Sequence, residues 1–482
     1  MLQGQAEPQD LSRVHFIGVG GVGMSGIALV LHNRGYKVSG SDLHASKYTR
    51  QLEAQGIPIY YGHNSEVIDL HKPEVVVISS AIPEKNVELA RARDLGVAVW
   101  QRAKMLAYIS RGQKTIAFAG THGKTTSSSM AAVCFDKLGL EPSFLIGGML
   151  NGYETNGVSG AGEFFICEAD ESDGSFLNLD PFVIVISNIE ADHLDFYDSL
   201  DEIYKTFGEF IEKLPDDGFV VANYEQKRTM ELIAQAHKRV ISFGFDPQAD
   251  VSIRIKARNS ENPLATHFEL SFPDGRTIET SLPQSPGNHN ILNAASVLTA
   301  AYGLGVDLLG AARALQEFKG AHRRFDFVAQ VNDIVIVDDY AHHPTEISAT
   351  LKAASELSYR HVHVVFQPHR YTRTMSLLKD FGEAFNDADS LSLLDIYAAG
   401  EPPIPGVTSK AIVREVQRSK EHADVSYFPQ WETMVNYIAK KAQPGDLIIT
   451  MGAGDITRMG HDIQEVLVAS YAQTEDKYGV KL

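Results

Sequence analysis

Short apolar runs alternate with stretches of helical periodicity along almost the whole chain. Val14-His15-Phe16-Ile17 and Tyr36-Lys37-Val38-Ser39 read as strands, and Val75 to Ser80 as a later, buried one. Between the first two, a glycine-rich turn opens a helix through Ala28 to Leu31. Such alternation feeds parallel strands through crossover helices. A second block, Gly112 to Arg323, carries buried strands at Phe164–Cys167 and Val183–Ser187. Its alternating, hairpin-like stretch from Val251 to Leu282 turns at Pro273-Asp274-Gly275. A third block, Phe325 to Ala472, starts with the strand Ile334–Val337, continues with His363–Phe366 and ends with Asp446–Thr450, each followed by a helical stretch. Gln473 to Leu482 reads as a frayed polar tail. The pattern predicts an α/β protein of three domains, at residues 1–111, 112–324 and 325–482, in keeping with a length that exceeds one core.

The most informative segment is Gly120-Thr121-His122-Gly123-Lys124-Thr125-Thr126. It follows the strand Thr115–Ala119 and enters a helix-like stretch, Ser127 to Leu138. Strand, glycine turn, Lys-Thr and helix together make a phosphate cradle of the P-loop kind, with backbone N–H groups facing the anion. Lys124 is placed to reach the β- and γ-phosphates of ATP, and Thr125 to offer its hydroxyl to Mg2+. The interval between the glycines is shorter than in the full motif. The second block is therefore expected to be an ATP-binding α/β domain.

Gly18-x-Gly20-x-x-Gly23 also joins a strand to a helix, and Asp42 lies nineteen residues beyond Gly23. This is the Rossmann-like arrangement that docks a pyrophosphate on a helix N-terminus. The geometry serves any diphosphate, so NAD, the diphosphate of a substrate and plain helix-on-strand packing all stay open.

Acids and imidazoles cluster at two strand ends of the second block: Glu168-Ala-Asp-Glu-Ser-Asp173, and Asn188-Ile-Glu-Ala-Asp-His-Leu-Asp195. In a parallel sheet these ends share the ligand crevice, so both clusters are expected near Lys124, where a carboxylate and an imidazole can bind a divalent metal. Asn290 and Asn293 lie three apart on a predicted helix; they suit an adenine edge or a helix cap. Arginines gather at Arg323 and Arg324 and at Arg370 and Arg373, the latter beside His369. Asp338-Asp-Tyr-Ala-His-His-Pro344 follows a strand.

Composition narrows the partners. The 43 Lys and Arg against 61 Asp and Glu leave a net charge of −18, which argues against nucleic acid or an anionic membrane. Any anion must be held by local basic and backbone groups, so the gathered arginines read as anion clamps. Cys134 and Cys167 lie in apolar segments and read as buried free thiols of a reducing compartment. No apolar run approaches membrane-spanning length and Met1 to Asp10 is polar, so a cytoplasmic protein is expected.

In this order, the motifs resemble those of the Mur ligases of bacterial peptidoglycan synthesis, over about Val14 to Gln464. They are Gly18–Gly23, Gly120–Thr126, Glu168–Asp173, Asn188–Asp195, Gly287-Asn-His-Asn290, His322-Arg-Arg-Phe325, Asp338–Pro344 and Gln367-Pro-His-Arg-Tyr-Thr-Arg373. The resemblance implies a Rossmann-like UDP-sugar domain, a central P-loop ATPase domain and a C-terminal Rossmann-like domain that closes over the reactants. It implies an ATP-dependent joining of L-alanine to the carboxylate of UDP-N-acetylmuramate, by a monomer or weak homodimer. The alternatives are attachment of a whole tripeptide to the same sugar or, in a different class, a nicotinamide-dependent dehydrogenase.

By the same likeness, Gly20, Gly21, Val22, Gly23, Met24 and Ser25 take the UDP diphosphate, and Asp42, His63, Ser79 and Ser80 the uridine and sugar. Thr125, Glu168 and His193 are implied metal ligands, with Asn290 and Asn293 at the adenine. Asp339, Tyr340 and His342 would face the nucleotide and Arg323 and Arg324 the phosphates. His369, Arg370 and Arg373 would face the incoming substrates. Lys124, His193, His342, Arg323 and Arg324 are the implied catalytic set, with His193 or His342 assisting the amine's deprotonation. One departure stands out. Where several of these ligases carry a carbamylated lysine, fifteen positions beyond His193, this chain has Gly208, and Lys205 is off register.

Overall fold

The computed structural model of the protein describes residues 11–192, 196–256, 264–419 and 424–478. His193, an expected metal ligand, lies outside the described residues. Among the described residues, three sheets carry the fold. The first has five parallel strands in the order Ile59–Tyr61, Lys37–Asp42, Arg13–Ile17, Val75–Ile78, Ala98–Gln101. The unbroken run Val75–Ile78 is buried, as a strand covered on both faces must be. Strand order reverses beside Arg13–Ile17, so a crevice opens beyond the carboxyl ends of that strand and Val75–Ile78. Gly18–Gly23, Ser79 and Ser80 sit there.

The second sheet has ten strands. Within it, the strand Lys114–Ala119 lies between Val183–Ile186 and Phe164–Glu168, parallel to both. That order delivers the glycine loop, the Glu168 cluster and the Asn188 cluster to one edge. Beyond Phe164–Glu168 the sheet continues into an arm, Ser143–Leu150 antiparallel to Thr155–Val158. Four glycines within the arm (147, 148, 152 and 157) blur its sequence pattern.

The third sheet has six strands in the order Asp326–Val331, Ile334–Asp339, Leu447–Met451, Val362–Phe366, Ser390–Leu393, Val425–Tyr427. The first pair is antiparallel and the others are parallel. The third block thus has one strand before Ile334–Asp339, the edge strand Asp326–Val331, whose apolar Phe327 is exposed. The supposed frayed tail is also corrected: the last helix, Met459–Tyr478, runs through Gln473 to Tyr478. Those residues contain neither Pro nor Gly before Gly479, so nothing stops the helix sooner.

The chain forms two compact units. One comprises the residues up to Arg254 with Phe268–Thr280 and Leu292–Phe318, and so holds the five-stranded sheet and most of the ten-stranded one. The other comprises Ile255–His267, Ser281–Ile291 and the residues from Lys319 onward. Cys134 and Cys167 are both buried free thiols. Among the described residues, no helix is long and apolar enough to cross a membrane.

Candidate active site

In the first unit, the chain leaves Lys114–Ala119 at Gly120 with φ +124° and enters the helix Lys124–Lys137 from Gly123 with φ +88°. Only glycine adopts such angles without strain. Space is equally restrictive. A methyl group on Gly120 would lie 2.7 Å from the Asn188 carbonyl, and one on Gly123 2.5 Å from Asn293 Oδ1. The neighbouring strand end pins the loop. Asn188 Oδ1 accepts from the His122 N–H at 2.9 Å, and Ser187 Oγ donates to the His122 carbonyl at 2.5 Å. Thr121 Oγ1 accepts from the Glu190 N–H at 2.8 Å. Asn293 reaches the same helix, accepting from Ser127 Oγ at 3.1 Å. The two sequence clusters expected beside the loop do converge on it.

Lys124 Nζ lies 2.7 Å from both Glu171 carboxylate oxygens and donates to the Gly120 carbonyl at 2.6 Å. Burial works against the ammonium's charge, but Glu171, Asp170 and Glu168 outweigh it and raise the Lys124 pKa. Glu168, at the end of Phe164–Glu168, accepts from the Gly147 N–H at 2.6 Å and from Ser128 Oγ at 3.4 Å. Burial pushes its carboxyl above the usual range against the pull of Gly147, Lys124 and Thr125. The Asp170 side chain is 41% exposed, and Lys124, Arg102 and Ser172 hold its carboxyl below its ordinary value. One ammonium therefore faces three carboxylates at the mouth of the glycine loop. Lys205, on the helix Leu200–Glu212, is 77% exposed and 3.9 Å from Glu209, a surface pairing.

At the first sheet's crevice, the Gly20 N–H donates to Asp42 Oδ2 at 2.8 Å, closing the loop onto the end of the next strand. Val22, Gly23, Met24 and Ser25 form the first turn of the helix Val22–Asn33, with Met24 and Ser25 buried. His63 Nδ1 lies 3.4 Å from Glu88, a carboxylate with no exposure that also takes Ser41 Oγ at 2.6 Å and contacts His15 at 3.3 Å. Glu88 and Arg102 were missed by the sequence reading; isolated charges on short helices give no motif.

The second unit assembles its own group. Tyr340 lies under both arginines, 5.0 Å from Arg323 and 5.3 Å from Arg324. Arg323 Nε donates to Asp338 Oδ2 at 2.8 Å, and its Nη2 to the Gly452 carbonyl at 2.5 Å. Arg324 Nη1 donates to Glu346 Oε1 at 3.3 Å. Asp339 accepts from the Phe325 and Ala341 N–H groups at 2.8 and 2.7 Å. Burial, only partly opposed by Arg324, pushes it up to about 6. His342 and His369 lie 5.9 Å apart, and His369 stacks on Tyr397 at 5.5 Å. Arg373 Nη1 donates to His369 Nδ1 at 3.3 Å. Burial first, then His342 and the arginines, lower His369 to about 3 and keep it neutral. Arg370 holds φ +71° while its N–H donates to the Tyr397 carbonyl at 2.8 Å. Asn290 donates to the Pro286 carbonyl at 2.9 Å.

Three family profiles match successive parts of the chain. They are the Mur ligase family catalytic domain over residues 13–114, the middle domain over 118–301 and the glutamate ligase domain over 323–454. A UDP-N-acetylmuramate–L-alanine ligase of Pelotomaculum thermopropionicum is 45% identical over 93% of this chain and 96% of its own. That of Koribacter versatilis is 41% identical over 96% and 99%. Among solved structures, UDP-N-acetylmuramate-alanine ligase of Thermotoga maritima is 27% identical, with a TM-score of 0.79 over 95% of this chain and 99% of its own. Identity and coverage together place the chain in the Mur ligase family.

Proposed function

We propose that the protein is an ATP-dependent amide ligase joining L-alanine to the carboxylate of UDP-N-acetylmuramate in the cytoplasmic assembly of peptidoglycan. Relatives of that name at 41–45% identity over nearly the full chain support the reading. The observation that carries it is the Gly120–Thr126 loop with Lys124 paired to the buried Glu171.

The reaction has two steps. A carboxylate oxygen of the muramate attacks the γ-phosphorus of ATP; the bond from that phosphorus to the β-γ bridging oxygen breaks, giving an acyl phosphate and ADP. The alanine amine, having lost a proton, then attacks the acyl carbon and inorganic phosphate leaves. Anions meet in the first step, so the main requirement is charge neutralisation. Lys124 meets it by exchanging Glu171 for phosphate oxygens, with the loop's N–H groups behind it.

A divalent cation fits beside the loop. The Thr125 hydroxyl and the Glu168 carboxylate are hard oxygen donors, and burial without full compensation leaves Glu168 short of positive charge. There Mg2+ would neutralise phosphate charge. Gly20–Ser25 take the UDP diphosphate, Asp42, His63, Ser79 and Ser80 its uridine and sugar, and Asn290 and Asn293 the adenine. In the second unit, Arg323 and Arg324 serve the phosphates, Asp339, Tyr340 and His342 the nucleotide. Arg370 and Arg373, beside the neutral His369, suit the carboxylate of the incoming amino acid.

ADP release with UDP-N-acetylmuramate and a panel of alanine, glycine, serine and the tripeptide tests the proposal. Turnover that requires both the sugar nucleotide and alanine is expected. Selective turnover with the tripeptide would reassign the acceptor, and ADP release without any amine would reduce the protein to an ATPase.

A further inference from the structure

Within the first unit, one guanidinium sits where the first sheet's glycine loop meets the acidic segment of the second. Arg102 begins the helix Arg102–Ser110 immediately after the strand Ala98–Gln101, hence at the carboxyl edge of a parallel sheet. It lies against the backbone of Gly23: a methyl group there would be 3.2 Å from both Arg102 Cδ and Arg102 Nη1. Gly23 has ordinary helical geometry, and a side chain there would have to displace Arg102 slightly from the loop. The other end of the fork points away, with Nη2 3.4 Å from Asp170 Oδ2. Asp170 itself is oriented by the Ser172 N–H, which donates to Oδ1 at 3.1 Å.

The chemistry of the loop calls for such a group. A helix N-terminus offers a diphosphate about half an elementary charge. The protein as a whole is strongly acidic and repels it. A guanidinium lying across the loop supplies a full charge and a planar fork that matches phosphate oxygens. Its link to Asp170 is long, and the side chain is 25% exposed, so the fork is poised without being committed.

We propose that Arg102 clamps the diphosphate of the sugar nucleotide docked on Gly20–Gly23, and that Asp170 is the positioning residue that aims it. The inference rests on the sugar-nucleotide reading above and adds a contact that no sequence motif marks.

Titrating UDP and uridine separately into the wild type, Arg102→Met, Arg102→Lys and Asp170→Asn tests it. UDP differs from uridine by the phosphates alone, so a role at the phosphates moves one affinity and not the other. Arg102→Met should weaken UDP about tenfold or more while leaving uridine within about twofold. Arg102→Lys should fall between, and Asp170→Asn should show a smaller loss, again for UDP only. An unchanged ratio of the two affinities in Arg102→Met, or equal weakening of both ligands, would overturn the assignment. Failure of the wild type to bind UDP at all would instead remove the sugar-nucleotide reading on which it stands.

Discussion

Lys124 Nζ is 2.7 Å from each carboxylate oxygen of Glu171, so the cation of the phosphate loop is already paired before any phosphate arrives. Both side chains are largely withdrawn from solvent, at 15% and 3% exposure. Removing one partner of such a pair strands the other's charge, and the loss exceeds the net worth of the pair. Structure and chemistry are thereby coupled in one contact.

Lys124→Met is expected to lower ADP formation by about a hundredfold or more, the usual scale for deleting one preorganised charge. UDP binding should survive, because its loop is on another sheet. Stability should drop by about 3 kcal/mol, since Glu171 is left buried and unpaired. Adding Glu171→Gln should restore the melting temperature and not the activity. A double variant as unstable as the single one would show that the ion pair does not govern the loop's stability.

The two loop glycines give a sharper steric forecast. Gly123→Ala imposes a left-handed φ on a residue with a side chain and drives that methyl into Asn293 Oδ1. A strain of about 1–3 kcal/mol is expected, with the loop shifting to relieve it. The KM for ATP should rise well before the fold is lost. Trimming the obstacle with Asn293→Ala should recover part of the stability, though not the contact we assign to adenine. Wild-type ATP kinetics in Gly123→Ala would contradict this geometry.

Packing between the first two sheets can be probed at Gly26, on the helix Val22–Asn33. A methyl group there would meet the Leu145 side chain of the glycine-rich arm and lie 3.1 Å from Asn156 Nδ2. Asn156 Nδ2 donates to the Val22 carbonyl at 2.5 Å, so the arm also braces the first turn of that helix. Gly26→Ala should cost about 1–3 kcal/mol through overpacking. Combining it with Leu145→Ala, which opens space, should be less damaging than the sum of the two changes. Strict additivity in chemical denaturation would show that the two residues do not press on each other.

Acid sensitivity should trace to Asp446 in the third sheet's unit. Its side chain has no exposure. Burial would raise its pKa, but the Arg360 guanidinium, the Gln443 N–H and His363 overcome that and bring it down to about 2. A depressed carboxyl means that the unfolded chain takes up the proton first. The stabilisation is therefore complete above about pH 4 and is lost as pH falls through about 2, amounting to roughly 2 kcal/mol. Asp446→Asn should unfold more easily at pH 7 and show a shallower loss of stability between pH 4 and 2. An unchanged acid slope would mean that the transition belongs to other carboxylates.

Some of this was legible residue by residue. Gly120–Thr126 is local: strand, turn and helix start are consecutive, so one segment specifies its conformation. The same holds for Gly18–Gly23 and for buried strands such as Val75–Ile78, whose apolar character follows from being covered on both faces. The arm at 143–158 escaped because its glycines interrupt the alternation. Asp326–Val331 escaped although Phe327-Val328-Ala329 is apolar; its pairing with Ile334–Asp339 is what makes it a strand. Glu88 and Arg102 escaped for another reason: each matters only through partners tens of residues away, Glu88 through His15, Ser41 and His63, Arg102 through Gly23 and Asp170.

By itself, then, the order of residues determined the α/β class, the two glycine loops between strand and helix and the acids and arginines gathered at strand ends, because short-range periodicity and backbone freedom are properties of neighbours in the chain. Tertiary structure alone decided which carboxylate holds Lys124, which strand end braces the loop and which guanidinium lies over Gly23. Those choices depend on strand order within a sheet and on burial. Desolvation turns a charge at a distance in sequence into a partner at hydrogen-bond range, and no local pattern encodes which partner that will be.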